Sequence, residues 1–248
     1  MKITFMSYNI QHGMDYLKYK SLPEDQKYDC INLDNIADAI VQCGADIIGL
    51  NEVRGRGNSE LYFNEAETIA AKIGYHAYFG PAIQFEDGPY GNAFLSRYPI
   101  IKAERILIPD PPVRDEDTYY ETRCLLKLEL DVAGGITVYV SHFGLARAEA
   151  RNAVATLVET LKTQKRPCVF MGDLNLQPDS EILSPVFERL QDTAAVFPEP
   201  QFSFPSDNPT IKIDYIFASR DTKVISADIP AIMASDHRPY VAVIDIGE

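Results

Sequence analysis

The chain has 248 residues, of which 46% are hydrophobic and 24% charged, values that are ordinary for a globular protein. Acidic residues number 36 against 23 basic residues, and the resulting net charge of −13 repels polyanions. The sequence contains no apolar run long enough to span a membrane and no run of three basic residues of the kind that duplex-binding proteins cluster. Long nucleic acid is therefore disfavoured as a substrate, although a local basic patch stays an alternative.

The first residues and the cysteines bear on the compartment. Met1 to Asn9 carry one basic residue and a short apolar stretch without a small-residue cleavage site, which predicts a first strand rather than a signal peptide. The four cysteines show no CxxC spacing, and they are Cys30, Cys43, Cys124 and Cys168. These features favour a reducing cytoplasm, with a processed export form as the alternative.

Short apolar runs bounded by turn residues predict most of the strands. In chain order the predicted strands are Ile3–Ile10, Asp46–Val53, His76–Gly80, Asn92–Ser96, Ile100–Ile108, Arg123–Val132, Ile136–His142, Pro167–Gly172, Lys212–Ala218 and Tyr240–Ile246.

Helical spacing of apolar residues predicts helices between some of these strands. The predicted helices are Asn32–Cys43, Glu60–Lys72, Leu145–Lys162 and a shorter one, interrupted by Pro185, over Asp179–Leu190. Three polar segments are predicted as loops and as candidate walls of a substrate pocket, with plain surface loops as the alternative: Gln11–Tyr28, Pro81–Gly91 and Pro109–Glu121.

Strand–helix units in both halves, with a meander of strands over residues 76–142, indicate an α+β fold. A two-sheet β-sandwich flanked by helices fits this order best. No linker separates two compositions, so residues 1–248 are predicted to form a single domain.

Acidic and amide residues recur where the predicted strands begin or end. Asp236-His237 precedes the last strand, Asn51-Glu52 lies at the end of an early one, and Asp173 follows the run 167–172. Polar groups at strand ends project into the loops that carry functional sites. A carboxylate next to a histidine can bind a metal, orient the imidazole or hold a phosphate oxygen.

The residue types suit the hydrolysis of a phosphate ester. Glu52 offers the hard oxygen that Mg²⁺ prefers. Asp173 and Asn175 are two residues apart, so on an extended segment they face the same way and can orient a water and a phosphate oxygen together. Arg123 can clamp a phosphate with its planar guanidinium. Alternatives from the residues alone are a solvated strand-end acid, an Asp/Asn turn and a strand-edge salt bridge.

Seven motifs together resemble the endonuclease/exonuclease/phosphatase superfamily. They come in that family's order over residues 4 to 246 and are Tyr8-Asn9-Ile10, Asn51-Glu52-Val53, Gly91-Asn92-Ala93-Phe94-Leu95-Ser96-Arg97, Ser141-His142-Phe143, Gly172-Asp173-Leu174-Asn175, Ile213-Asp214-Tyr215-Ile216-Phe217 and Ser235-Asp236-His237. The resemblance implies a four-layer α/β/β/α fold like that of deoxyribonuclease, with the site at one rim. It also implies a phosphoesterase that uses a divalent metal, usually Mg²⁺, with Mn²⁺ as a substitute.

The resemblance also implies roles for individual residues. Glu52 is the main metal ligand, with Asn9 beside it and Asp236 placed toward the metal. Asp173 orients the nucleophilic water. The remaining implied roles belong to the phosphate pocket. There Asn175 contacts the phosphate or transition state, and His237 contacts a phosphate oxygen with Asp214 as its partner. His142 is a general acid or phosphate contact, and the residues that bind substrate with Asn175 are Asn9, Asn92 and Arg123.

Two positions depart from branches of that family. A glutamate pairs with the equivalent of His142 in the pancreatic deoxyribonuclease branch, and Asn92 stands in its place here. Gln11 stands where abasic-site endonucleases and tyrosyl-DNA phosphodiesterases tend to have Asp. The Asn92 departure weighs against an acid role for His142, because an amide cannot raise the pKa of the imidazole as a carboxylate would. The Gln11 departure disfavours the abasic-site endonuclease and tyrosyl-DNA phosphodiesterase activities.

The sequence thus predicts a metal-dependent hydrolase, either a phosphodiesterase or a phosphatase, in which a water oriented by Asp173 attacks a metal-bound phosphate. A small phosphate ester is favoured over long nucleic acid, and no partner protein is inferred. An endonuclease or DNA-repair phosphodiesterase is the enzymatic alternative. A non-catalytic binding scaffold on the same fold is the alternative of another class.

Overall fold

The computed structural model describes residues 1–247, and two six-stranded β-sheets face each other at its centre. The first sheet contains β1 (Lys2–Asn9), β2 (Ile47–Arg54), β3 (His76–Gln84), β4 (Pro89–Ser96), β11 (Lys223–Asp228) and β12 (Tyr240–Asp245). Its strand order is β11-β12-β1-β2-β4-β3.

The second sheet is built from the middle of the chain. It contains β5 (Ile100–Leu107), β6 (Cys124–Leu130), β7 (Ile136–Ser141), β8 (Cys168–Asp173), β9 (Leu190–Asp192) and β10 (Asp214–Ser219). Its strand order is β5-β6-β7-β8-β10-β9.

Helices cover the outer face of each sheet. On the first sheet, α2 (Leu33–Cys43) and α3 (Glu65–Ile73) bury their apolar residues, and on the second sheet α4 (Arg147–Leu161) and α5 (Ser184–Arg189) do the same. Short α1 (Tyr16–Ser21) begins at Asp15, whose side chain accepts the Lys18 backbone N–H. The order helix, sheet, sheet, helix confirms the predicted four-layer sandwich.

The space between the sheets is filled by aliphatic and aromatic side chains from both. The sheets approach closely where one carries glycine. A Cβ added at Gly80 would lie 2.2 Å from Leu126 Cδ2, so Gly80 leaves room for that leucine. Leu126 itself is fully buried, and burial of a leucine side chain is worth about 1.5–3 kcal/mol.

Each sheet contains one parallel pair near its centre, and this pairing fixes where the site lies. β1 is parallel to β2, and β7 is parallel to β8. Their carboxyl ends therefore lie at one rim of the sandwich. β10 runs antiparallel to β8 and pairs Asp214 with Asp173, so the start of β10 reaches the same rim.

Four segments differ from the sequence expectation. The predicted loop Pro81–Gly91 is mostly a hairpin, because β3 continues to Gln84 and β4 begins at Pro89. The predicted loop over residues 11–28 contains α1. β9 and β11 were not predicted, since β9 has three residues and β11 is largely exposed. Within residues 1–247, no helix is long and apolar enough to cross a bilayer.

Candidate active site

The carboxylate of Asp173, 1% exposed at the end of β8, is the point on which the predicted site residues converge. Asn9 Nδ2 donates to its Oδ2 at 3.1 Å, and the Asn175 backbone N–H donates to its Oδ1 at 3.0 Å. The Nε2 atoms of His142 and His237 lie 3.6 Å and 3.5 Å from Oδ2. Side chains from both sheets thus share one buried acid.

Side-chain amides beneath Asp173 connect the two sheets. Asn51 Oδ1 accepts the Asp173 backbone N–H at 2.8 Å, and Asn51 Nδ2 donates to Asn92 Oδ1 at 2.8 Å. Asn92 Nδ2 in turn donates to the Cys124 carbonyl at 3.1 Å. Asn92 is 1% exposed and its amide is engaged at both ends. The structure therefore gives Asn92 a supporting place below the site, which differs from the predicted contact with substrate.

His237 is held by Asp214. Its Nδ1 donates to Asp214 Oδ2 at 2.8 Å, and the ring centroid lies 4.8 Å from that of Phe204. Burial lowers the pKa of His237, but the charges of Asp214 and Asp173 outweigh it and raise the pKa well above its usual value. These charges favour the imidazolium form of His237, whose Nε2 lies 3.5 Å from Asp173 Oδ2.

His142 has the opposite electrostatic surroundings. Arg123 Nη1 donates to its Nδ1 at 3.1 Å, so the neutral ring carries its proton on Nε2. Burial, followed by the charges of Arg123 and His237, lowers the pKa of His142 well below its usual value. A neutral His142 can donate a hydrogen bond to a phosphate oxygen, but it is a weak proton source.

The residue that orients His142 differs from the expectation. Asn92, which stands where one branch of the family has a glutamate, bonds elsewhere, and Arg123 contacts the ring instead. Arg123 is 9% exposed and also lies 2.7 Å from Glu121 Oε1. Its guanidinium is thereby engaged by protein groups, and the predicted phosphate clamp would need one of its remaining N–H groups.

Glu52, Asp236 and Asn9 provide a second group of oxygens near Asp173. Asn9 Nδ2 donates to Glu52 Oε1 at 3.0 Å as well as to Asp173. Burial raises the pKa of Asp236 to about 6, opposed by His237 and reinforced by the charge of Glu52. Burial likewise raises the pKa of Asp173 to about 7, with Asp214 adding to the effect and His237 opposing it.

Crowded buried carboxylates of this kind fit a hard divalent cation. Carboxylate and amide oxygens are the ligands that Mg²⁺ and Mn²⁺ favour, and a cation would offset the burial and the mutual repulsion that raise these pKa values. Asp173, Asp214 and His237 also offer atoms within 4.8 Å of one another. Because Asp214 Oδ2 already accepts from His237, Glu52 and Asp236 suit the cation better.

Sequence reasoning missed several residues beside Glu52. Arg54 and Tyr90 are buried there, and His12 lies between them in the segment after β1. Glu121, beside Arg123, was also missed as a site residue. One signal was present for Arg54, since it lies two residues after Glu52 on β2. His12 and Tyr90 carry no spacing signal that points to the site.

Comparison with known proteins agrees with this geometry. A family model described as "Endonuclease/Exonuclease/phosphatase family" matches residues 6–237. The chain is 26% identical over 168 residues to the protein cwh43 of Schizosaccharomyces pombe, which is 66% of this chain but spans only 15% of that protein's length.

Solved structures share the fold over nearly the whole chain. An endonuclease/exonuclease/phosphatase family protein from Bacteroides thetaiotaomicron is 16% identical with a TM-score of 0.78, covering 100% of this chain and 96% of that one. The mannosyl-6-phosphatase Bt3783 of Bacteroides thetaiotaomicron VPI-5482 is 16% identical with a TM-score of 0.75, covering 98% and 99%.

Proposed function

The chain belongs to the endonuclease/exonuclease/phosphatase family, and from that premise we propose that it is a divalent-metal-dependent hydrolase of phosphate esters. The observation that carries the proposal is the convergence of both site histidines, Asn9 and Asn175 on the Asp173 carboxylate. That arrangement offers a proton acceptor and several hydrogen-bond donors around one small volume.

Asp173 is the group that accepts the proton of the attacking water. A general base works best when its pKa lies near the operating pH, and burial brings the pKa of Asp173 to about 7. The hydrogen bonds from Asn9 and from the Asn175 backbone fix both oxygens of the carboxylate. The carboxylate is therefore oriented before substrate arrives, which lowers the cost of reaching the reactive geometry.

The two histidines and Asn175 hold the phosphoryl group. His237, charged through Asp214, neutralises negative charge on a phosphate oxygen, while neutral His142 donates a hydrogen bond from Nε2. The Asn175 side chain lies beside His142, its Nδ2 donating to the Phe143 carbonyl at 3.0 Å. Donors fixed in a buried site stabilise the charge that develops in the transition state.

Glu52 and Asp236, with Asn9, are the residues that would hold the divalent cation. When bound, the cation supplies positive charge that polarises the phosphoryl oxygens and stabilises the leaving oxygen. The carboxylates of Glu52 and Asp236 are near enough that the charge of Glu52 raises the pKa of Asp236.

A small phosphate ester is the favoured substrate. The net charge of −13 disfavours long polyanions. One neighbour that shares the fold is named a mannosyl-6-phosphatase, which is consistent with a phosphorylated small molecule. The alternative of a non-catalytic scaffold is disfavoured because Asp173, Asp214 and both site histidines are buried and positioned together.

A panel of phosphomonoesters and phosphodiesters, assayed with Mg²⁺, with Mn²⁺ and with a chelator, tests the proposal. We expect metal-dependent release of phosphate or alcohol that Asp173→Asn abolishes. The matched control is Asp131→Asn, which changes an exposed acid between β6 and β7, away from the rim. This variant should leave turnover unchanged. Hydrolysis that persists in Asp173→Asn, or the absence of hydrolysis from the whole panel in every metal, would contradict the proposal.

A further inference from the structure

A cluster of polar and aromatic side chains, in which Arg54 and Tyr90 are buried and Tyr28 is exposed, lies beside Glu52 and has no part in the hydrolysis described above. We call it the Arg54 cluster, and its members are Arg54, His12, Tyr28, Tyr62 and Tyr90. Arg54 lies two residues after Glu52 on β2. The charges of Glu52 and Arg54 both act on the imidazole of His12, and the His12 ring centroid lies 5.3 Å from the Tyr90 ring centroid.

The guanidinium of Arg54 is buried without a complete set of hydrogen-bond partners. The side chain is 5% exposed, and its Cζ lies 5.3 Å from the Tyr28 ring centroid and 5.1 Å from that of Tyr62. Within residues 1–247, neither Nε nor Nη1 has a hydrogen-bond partner. Aromatic rings stabilise the flat faces of a guanidinium but leave its N–H groups unsatisfied.

The buried acid that contacts Arg54 does so through the backbone of Arg54. Glu65 Oε2 accepts the backbone N–H of Arg54 at 2.7 Å, not the guanidinium. Burial raises the pKa of Glu65 to about 8, so the carboxyl is largely uncharged at neutral pH. An arginine stays protonated under all such conditions. The cluster therefore holds a buried positive charge whose donors are available to an oxyanion.

His12 adds a second polar atom to the cluster. The His12 ring lies against the Tyr90 ring, with the two ring centroids 5.3 Å apart. Its Nδ1 is buried and has no hydrogen-bond partner within residues 1–247. A neutral imidazole nitrogen can accept or donate according to its tautomer, so it can contact the same oxyanion or an adjacent hydroxyl.

We propose that the Arg54 cluster is a specificity subsite that binds a second anionic group, a carboxylate or a phosphate, on the alcohol part of the substrate. This inference rests on the proposed hydrolysis of a phosphate ester. The charges of Glu52 and Arg54 both act on the ring of His12, so one small molecule can reach both the centre at Glu52 and the guanidinium of Arg54. The exposed ring of Tyr28 covers one face of the guanidinium, and a solute would reach the guanidinium by displacing this ring.

Selectivity between two matched substrates tests the subsite through turnover. Phosphoglycerate and glycerol phosphate differ in one carboxylate. We expect the wild type to prefer phosphoglycerate, and Arg54→Gln to reduce the ratio of their kcat/KM values by about 10- to 100-fold, the range for loss of a charged hydrogen bond. Arg56→Gln changes an exposed arginine of the same segment and should leave the ratio unchanged.

Binding measured without hydrolysis separates this inference from the proposed function. Calorimetry with the chelator-treated protein should detect phosphoglycerate binding that weakens at least about 10-fold in Arg54→Gln but not in Arg56→Gln. Such binding without turnover of any ester would support the subsite and contradict the proposed function. Turnover with equal ratios and equal binding in a folded Arg54→Gln variant would overturn the subsite.

Two further variants cover the case in which Arg54→Gln does not fold. Arg54→Lys keeps the charge and loses the planar fork, and Tyr28→Ser removes one exposed ring that covers the guanidinium. Arg54→Lys should lower the selectivity ratio and weaken phosphoglycerate binding, whereas Tyr28→Ser, by uncovering the guanidinium, should raise the ratio and strengthen that binding. If both variants keep the wild-type selectivity ratio and the wild-type affinity for phosphoglycerate, water satisfies the hydrogen-bond donors of Arg54. The subsite would then be rejected.

Discussion

Glu52 combines an unusual backbone conformation with its position at the rim. Its φ of 57° is left-handed, and the pairing of β2 with β4 shifts register between Leu50 and Val53 around it. A non-glycine residue in this region costs about 1–3 kcal/mol and persists where the surrounding structure imposes it. The irregularity redirects the side chain of Glu52 toward Asn9.

For Glu52→Gln we expect weaker Mg²⁺ binding and lower activity without loss of the fold, because the amide loses one hard anionic oxygen. Titration of activity against Mg²⁺, with calorimetry of Mg²⁺ binding, measures the change. Glu60→Gln, an exposed acid after the same strand, is the control. If Glu52→Gln keeps the wild-type metal dependence, Glu52 is not a ligand.

Asp214 acts on His237 through charge as well as position. Asp214→Asn keeps the shape of the 2.8 Å contact but removes the negative charge that favours the imidazolium. We expect kcat to fall by about 10- to 1000-fold, the range for an electrostatic partner in a site. Steady-state kinetics beside the exposed-acid control Asp221→Asn measures this. Equal kcat values would show that the pair is structural.

At the scale of elements, α3 meets β2 through one buried acid. Glu65 lies in the first turn of α3, and its carboxyl accepts the Arg54 backbone N–H on β2. Its folded-state pKa of about 8 lies above the usual value of 4.5 because of burial. The folded protein therefore keeps this proton over a pH range where the unfolded chain releases it, and the stability contributed by Glu65 is lost as pH rises from about 4.5 to 8.

Glu65→Gln should remove that pH dependence, because the amide has nothing to release. We expect the variant and the wild type to have similar free energies of unfolding in urea near pH 5, and the variant to be the more stable near pH 9. Glu67→Gln, an exposed acid of the same helical turn, should instead follow the wild type. Parallel pH profiles for Glu65→Gln and the wild type would contradict the assignment.

The elements that the sequence predicted well are those with a strong local signal. α2 begins at Asn32, which caps the Asp34 N–H, and ends at Gly44 with φ 61°, so its bounds follow from capping residues. The sequence does not predict β11, because this exposed edge strand lacks the alternation of apolar and polar residues that marks a half-buried strand. Gly88-Pro89 is typical of a turn and so predicts a loop over residues 81–91, although Pro89 begins β4.

The residues of the candidate site also divide into those that the sequence could predict and those that it could not. Residues at strand ends, such as Glu52 and Asp173, could be found because buried runs mark where strands stop. The pairing of His142 with Arg123 could not, since it depends on how β6 and β7 bring the two side chains together across the sheet. Tertiary contacts of this kind leave no periodicity in the chain.

At the scale of the whole molecule, the two sheets share the core on which the site depends. Leu126→Ala removes a fully buried side chain between the sheets, and we expect it to lower the free energy of unfolding by about 2–5 kcal/mol. Far-UV circular dichroism and tyrosine fluorescence should report one coincident urea transition, because residues 1–248 are predicted to form one domain.

The control for this core substitution is Leu107→Ala. Leu107 lies at the end of β5 and is 51% exposed, so its replacement should change stability by no more than about 0.5 kcal/mol. Two separate transitions in Leu126→Ala would show that the sheets unfold independently and that residues 1–248 are not one cooperative unit.

The pairing of β1 with β12 has a consequence for synthesis on the ribosome. Lys2 lies opposite Asp245, so β1 emerges from the ribosome long before β12, the strand with which it completes its ladder. One edge of β1 therefore stays unpaired while the intervening chain is made, and exposed edges of this kind invite association with other nascent chains. Nascent chains that stall before residue 240 would present this edge, and chaperone occupancy should be greatest on them.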